Sequence, residues 1–217
     1  MNKSQQRQLE AIFYPGWLMA SQLRGGQEVL DGEGLYRRAC GLIQDARSAL
    51  TEAGYSDNSR DQMIYALCAL LDESVLNRGT ADDGYLAWRR DPLQARFFGT
   101  LNAGEELWQR IRHLLKETAP DLATLTCFYR TLQLGFVGQY RAESDERRED
   151  VVKALGERVP PFTQALDAPV VVRATRLRSG SRWYWLSWII GAALLAGLWF
   201  FLSSTLADMV TRTGSLG

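Results

Sequence analysis

The stretch MIYALCALLDESVLN, residues 63–77, has no polar face between Met63 and Leu71. A helix that is apolar nearly all round must be enclosed by other elements, so this one reads as the centre of a helical bundle. Gly79 stops it, and Asn58 with Ser59 can cap its start. Its last two turns hold Asp72 and Glu73. The helix dipole disfavours negative charge there, so some group outside the helix has to compensate both acids. Pairing with an arginine such as Arg78, Arg130 or Arg141 would do so, and docking of a partner is the other role these residues suit. Adjacent helical side chains point about 100° apart, which argues against a convergent acid/base pair.

Helical periodicity continues on both sides of this stretch. Upstream, Leu9, Ile12, Phe13, Trp17 and Leu18 share one spacing between Ser4 and Arg24, and Pro15 predicts a break or kink among them. Gly25 and Gly26 close that helix. A second, from about Gly34 to Gly54, carries Leu35, Ala39, Leu42, Ile43, Ala46 and Leu50 on one stripe. Gly32 and Gly34 follow no apolar strand and lack a third glycine, so they make no dinucleotide fingerprint. Downstream, residues 80–99 combine Gly84 and Pro92 with Tyr85, Trp88, Phe97 and Phe98, which predicts a loop and a short helix pinned by rings.

In LNAGEELWQRIRHLLKE, residues 101–117, the stripe is Leu107, Trp108, Ile111, Leu114 and Leu115. Gly104 projects onto the same face and would let a neighbouring helix approach closely. Pro120 suits the first turn of a further helix with Leu122, Leu125, Tyr129, Leu132 and Phe136 on one side, broken by Gly135 and Gly138. Residues 141–159 mix charges of both signs and read as a solvated, ion-pair-laced helix. Pro160, Pro161 and Pro169 mark a connector. Strand-like alternation is scarce, so the head is all-α.

Beyond the connector lies WYWLSWIIGAALLAGLWFFLSSTLA, residues 183–207, which contains no charged residue and is long enough for one bilayer crossing. Trp183, Tyr184, Trp185 and Trp188 cluster at one end, as rings at the headgroup level do. Arg173, Arg176, Arg178 and Arg182 precede the stretch and only Arg212 follows it. That excess marks the cytoplasmic side, so residues 1–168 form a cytoplasmic domain, 169–182 a basic juxtamembrane linker, 183–207 the transmembrane helix and 208–217 a short periplasmic tail. Ser187 with Gly191, and Ala193 with Gly197, are small residues four apart that permit self-association of spans.

Composition narrows the function. Lys+Arg and Asp+Glu number 25 each, which argues against nucleic acid as a bulk electrostatic partner. Lys3 and Arg7 precede no long apolar run near the N-terminus, so no secretory signal is read there. Cys40, Cys68 and Cys127 are widely spaced in apolar helical settings, which favours reduced, buried thiols. His113 is the single histidine and projects about 200° from the apolar stripe of its helix, toward water. No HExxH, Walker A loop, GxSxG elbow or Cys/His cluster is present, so neither a metal nor another cofactor is expected. GFVG at residues 135–138 matches the loop of an RNA-binding KH module in letters only, within an all-helical, neutral chain.

Four pieces carry a resemblance: YALCALLDESVLN (65–77), FFGTLNAGEELWQRI (97–111), LQLGFVGQYR (132–141) and the C-terminal span. Together, and in this order, they make the chain similar to the TssL/DotU family of type VI and type IVb secretion systems, also called IcmH/DotU. The family commonly has an acid where Val137 stands and a base where Gln139 stands, so the resemblance brings no charge-based role to that loop. It implies a head of two small three-helix bundles and a non-enzymatic role. The implied partners are the IcmF-like inner-membrane protein TssM, the lipoprotein TssJ, baseplate subunits such as TssK, and a second copy of the chain. Some relatives carry a periplasmic peptidoglycan-binding domain after the span; the chain stops at Gly217, so another subunit is expected to hold the cell wall. The alternatives are a type IVb DotU-like stabiliser of an IcmF partner and a tail-anchored enzyme.

Overall fold

A computed structural model of the chain describes residues 1–140 and 145–161. Among the described residues there are eight helices and no strands: α1 (Lys3–Arg24), α2 (Gly32–Glu52), α3 (Asp57–Leu76), α4 (Asp83–Arg90), α5 (Leu93–Phe98), α6 (Ala103–Lys116), α7 (Leu122–Gln133) and α8 (Glu146–Gly156). Every residue of α3 from Met63 to Val75 is buried. Helices α1, α2, α4, α5, α6 and α7 all pack on it, and α8 packs on α7. The expected central helix is therefore the observed one. Burying a side chain such as Ile64, Leu67 or Leu70 contributes about 1.5–3 kcal/mol, and truncating one to alanine costs about 2–5 kcal/mol. All these helices belong to one compact unit, Met1–Gln164.

Several boundaries differ from expectation for local reasons. Helix α3 starts at Asp57, six residues before Met63, because the Ser56 hydroxyl caps it by accepting from the Ser59 N–H at 3.1 Å. Its first turns are polar and largely exposed, so apolar periodicity does not report them. Helix α1 runs unbroken through Pro15. Proline removes one N–H and frees the carbonyl four residues back; Ala11 and Pro15 are both exposed, so water can take that carbonyl. The α1 start is fixed by a capping box in which Asn2 and Gln5 exchange bonds of 2.8 and 3.0 Å.

Residues 80–99 hold two short helices instead of a loop and one. Asp82 caps α4 through the Tyr85 N–H at 3.1 Å, whereas α5 follows Pro92 and has no side-chain cap from its own segment. Pro120 lies outside α7, since Asp121 takes the cap by accepting from the Ala123 N–H and the Thr124 hydroxyl. Gly104 meets a loop, not a helix: its carbonyl accepts the Gln139 N–H at 2.8 Å. Arg148 departs from the solvated reading of α8. It is buried and donates to the carbonyls of Phe136 and Leu132 at 3.2 and 2.6 Å.

No helix among the described residues is long and apolar enough to cross a membrane. The stretch 183–207, the linker, the tail, Arg141 and the small residues Ser187, Gly191, Ala193 and Gly197 all lie outside the described residues.

Candidate functional site

The last two turns of α3 carry the acids that the sequence singled out, and both are turned inward. Asp72 is 1% exposed and Glu73 8%. Being neighbours on a helix, they face different elements. Asp72 reaches the α4–α5 corner, where Oδ1 accepts the Trp88 indole N–H at 3.0 Å and the Leu93 N–H at 2.9 Å. Its Oδ2 accepts the Gln94 N–H at 2.9 Å. A carboxylate on α3 thus supplies the N-terminal cap that α5 lacks, placed where the dipole of α5 favours negative charge. Burial pushes the Asp72 carboxyl up to about 6, against the pull of the hydrogen bonds from Gln94, Leu93 and Trp88.

Glu73 holds the segment after α7. Its two oxygens accept the N–H groups of Val137 and Gly138 at 2.8 and 2.7 Å, and Arg24 at the end of α1 pairs with it at 3.3 Å. Arg24 also donates to the Gly135 carbonyl. The compensation demanded by the α3 dipole comes mainly from backbone N–H groups, and among the described residues the arginine that pairs with Glu73 is Arg24, while Arg141 lies outside them. Arg78 pairs with Asp82, and Arg130 lies 4.0 Å from Glu10.

The loop held by Glu73 is fixed from its other side as well. Trp108 donates to the Val137 carbonyl at 3.0 Å, and its ring meets Tyr140 edge-on at 4.6 Å between centroids. Gly138 has φ +60°, and a Cβ there would lie 2.5 Å from the Gly104 carbonyl oxygen, so no other residue fits without moving α6. Beside Glu73 opens a cleft of about 370 Å³, lined among others by Arg24, Ser74, Arg78, Val137 and Tyr140. Gln139, next in the loop, is exposed. What this arrangement offers chemically is a rigid, mostly uncharged loop over a polar cleft, which suits recognition of a protein surface.

The remaining candidates stand apart from this site. His113 is exposed and sits 3.4 Å from Glu117. Cys68 and Cys127 are buried, with thiols pushed up by burial, and Cys40 is half-buried; all three are free. Among the described residues no cluster of His, Cys, Asp and Glu could hold a metal ion. Sequence reasoning missed Arg24 and Arg148, whose identity as ordinary helix arginines carries no sign of the carbonyls they serve.

Comparison with known proteins bears on this geometry directly. The family described as "Type VI secretion system protein DotU" matches residues 8–205. The solved structure of T6SS SciP/TssL from enteroaggregative Escherichia coli 042 is 66% identical, covers 78% of this chain and 98% of its own, and has a TM-score of 0.65. The cytoplasmic domain of TssL from Acinetobacter baumannii is 25% identical over 69% of this chain and 95% of its own, also with a TM-score of 0.65. No curated protein sequence matches the chain. With the helical head and nearly all of the charge-free stretch inside the match, this chain belongs to the DotU family of type VI secretion system proteins, as a structural component of that machinery and not an enzyme.

Proposed function

We propose that the chain is a membrane-anchored adaptor of a type VI secretion system, joining an inner-membrane complex of TssM and TssJ to cytoplasmic baseplate subunits such as TssK. The observation that carries this reading is the extent of the family match, which runs through residue 205 and so takes in both the head and the apolar stretch 183–207. In this reading residues 1–168 form the cytoplasmic head, built as two three-helix bundles, 169–182 the basic linker, 183–207 a single inner-membrane span and 208–217 a periplasmic tail. The small pairs Ser187 with Gly191 and Ala193 with Gly197 bring two spans together.

Asp72 and Glu73 serve docking through what they hold. Glu73 keeps Val137 and Gly138 in place beside the cleft, and Asp72 keeps the α4–α5 corner, so a partner meets a preformed surface and loses less entropy on binding. The test is co-purification of the full chain, in detergent, from cells making the whole secretion system. TssM, TssJ and TssK are expected together with the native chain. Removal of residues 183–217 should release the head from the membrane fraction and keep TssK. Recovery of the native chain with none of the three would overturn the adaptor reading.

A further inference from the structure

Two polar residues occupy the inward face of α1 where its pattern calls for apolar ones. Gln6 and Glu10 stand on the stripe that continues with Phe13 and Trp17, and they are 4% and 6% exposed. Buried polar side chains answer to partners. The Gln6 amide has two N–H bonds to give. One goes to Glu10 Oε1 at 3.0 Å, and the other to the Pro161 carbonyl at 2.7 Å, 155 residues away in sequence. Glu10 in turn lies 4.0 Å from Arg130 on α7. Leucine at positions 6 and 10 would bury as well, but it could not hold a carbonyl.

The segment between α8 and Pro161 is tied elsewhere too. A Cβ at Gly156 would lie 3.0 Å from the Tyr129 hydroxyl oxygen, so the end of α8 sits close against α7. Arg158 donates to the Leu115 carbonyl at 2.8 Å in the last turn of α6, where the freed carbonyls and the dipole of a helix end both favour a cation. Val159 is buried, and the N–H groups of Glu157, Arg158 and Val159 turn back to the carbonyls of Lys153 and Leu155. Pro160 and Pro161 have no N–H to leave unmet and a fixed φ. Their carbonyls are the backbone handles they offer, and Gln6 takes one. Residues 156–161 therefore meet α7, α6 and α1 in turn.

We propose that Gln6, oriented by Glu10, and Arg158 clasp residues 157–161 to the bundle, so that the chain leaves the head at one fixed point beside the start of α1. Without the clasp it would pivot at the end of α8. A fixed exit passes the orientation of the head along the chain, which a flexible joint does not, and this use of the clasp rests on the adaptor reading.

Hydrogen exchange of the full chain in detergent reads the clasp at the N–H groups of Glu157, Arg158 and Val159, with the interior of α3 as the control for folding. Gln6→Leu removes the donor, and Gln6→Glu removes it and sets a second acid against Glu10. Each should speed exchange at residues 157–159 at least tenfold and leave α3 unchanged. Gln6→Lys keeps a donor between Glu10 and the Pro161 carbonyl and should keep the native rate. Where a change at Gln6 disturbs α3, Arg158→Met at its exposed position should give the same local increase. Exchange at 157–159 that is indifferent to Gln6→Leu and Arg158→Met, or as fast in Gln6→Lys as in Gln6→Leu, overturns the clasp. In cells making the whole secretion system, Gln6→Leu should lower protein secretion at least tenfold while TssM, TssJ and TssK still co-purify. Full secretion with raised exchange overturns the role of the fixed exit. Loss of co-purification from the native chain removes the adaptor reading and leaves the clasp standing on its exchange result.

Discussion

Lowering the pH from 7 to 5 should stabilise the head at Asp72, and Asp72→Asn should abolish that gain. The Asp72 carboxyl is 1% exposed and stands at about 6 in the folded chain, against an ordinary 3.8. A folded-state value above the unfolded one means the folded chain binds the proton more tightly. Stability therefore grows as pH falls through about 6 and is lost as pH rises through it. The full effect, reached only below the ordinary 3.8, is about 3 kcal/mol, and the portion between pH 7 and 5 is about 1 kcal/mol. That portion corresponds to about 2–4 °C in melting temperature for a domain of this size. Asp82 and Glu106 work in the opposite sense: both are held below their ordinary 3.8 and 4.5, so the stability they add is lost only at more acid pH.

The substitution has its own cost at pH 7. An asparagine keeps one acceptor oxygen for Trp88 and Leu93 and turns an amide donor toward the Gln94 N–H, where Asp72 has Oδ2. One unmet donor costs about 1–3 kcal/mol, and Asp72→Ala, which strips all three, should cost more. The assay is thermal unfolding of residues 1–164, native and both variants, at pH 7 and 5. A native head that is less stable at pH 5, or an asparagine variant with the same pH response as the native head, would refute the reasoning.

Other perturbations test other joints. Glu73→Ala leaves two N–H groups without their acceptor and takes one of the partners of Arg24, and should lower stability by about 3–5 kcal/mol and weaken TssK binding; unchanged melting would show that Glu73 does not hold the loop. Gly138→Ala combines an unfavourable positive φ with a clash against Gly104, and should cost about 2–4 kcal/mol in the same melting assay. For topology, a membrane-impermeant thiol reagent applied to spheroplasts should label a cysteine placed at Ser215 and not one at Ser4. Gly191→Leu with Gly197→Leu should reduce the self-association signal of the span in a membrane two-hybrid assay, and an equal signal would remove the role proposed for the small residues.

What the sequence disclosed followed from how each residue reports its surroundings. Helix α3 was legible because nine successive apolar positions, Met63 to Leu71, leave no polar face to suggest a surface helix. Its first six residues were not, since Asp57 to Gln62 are polar and their helical state depends on the Ser56 cap instead of burial. The same limit hid the inward turn of Arg148. A charged helix predicts solvent on average, but the carbonyls of Leu132 in the last turn of α7 and of Phe136 just after it need donors, and one arginine of α8 is long enough to reach them.

The site itself was half legible for a related reason. Two acids at the unfavourable end of a helix announced that compensation was needed, and the expectation looked for arginines because side-chain charge is what a sequence prints. The donors found are chiefly the backbone N–H groups of Leu93, Gln94, Val137 and Gly138, which every residue but proline possesses and which no residue identity betrays. The same fact changes how the loop should be read. Since Glu73 grips Val137 and Gly138 by their backbone, the hold does not depend on an acid at 137 or a base at 139, and the departures at Val137 and Gln139 leave the loop's shape untouched. They alter only what a partner meets there: an apolar side chain and an amide on a frame fixed by Glu73, Trp108 and Gly138. Reversing the departure with Gln139→Lys should therefore leave melting unchanged and shift only partner affinity, and a loss of stability from that exposed position would mean that side chains, not backbone, set the loop.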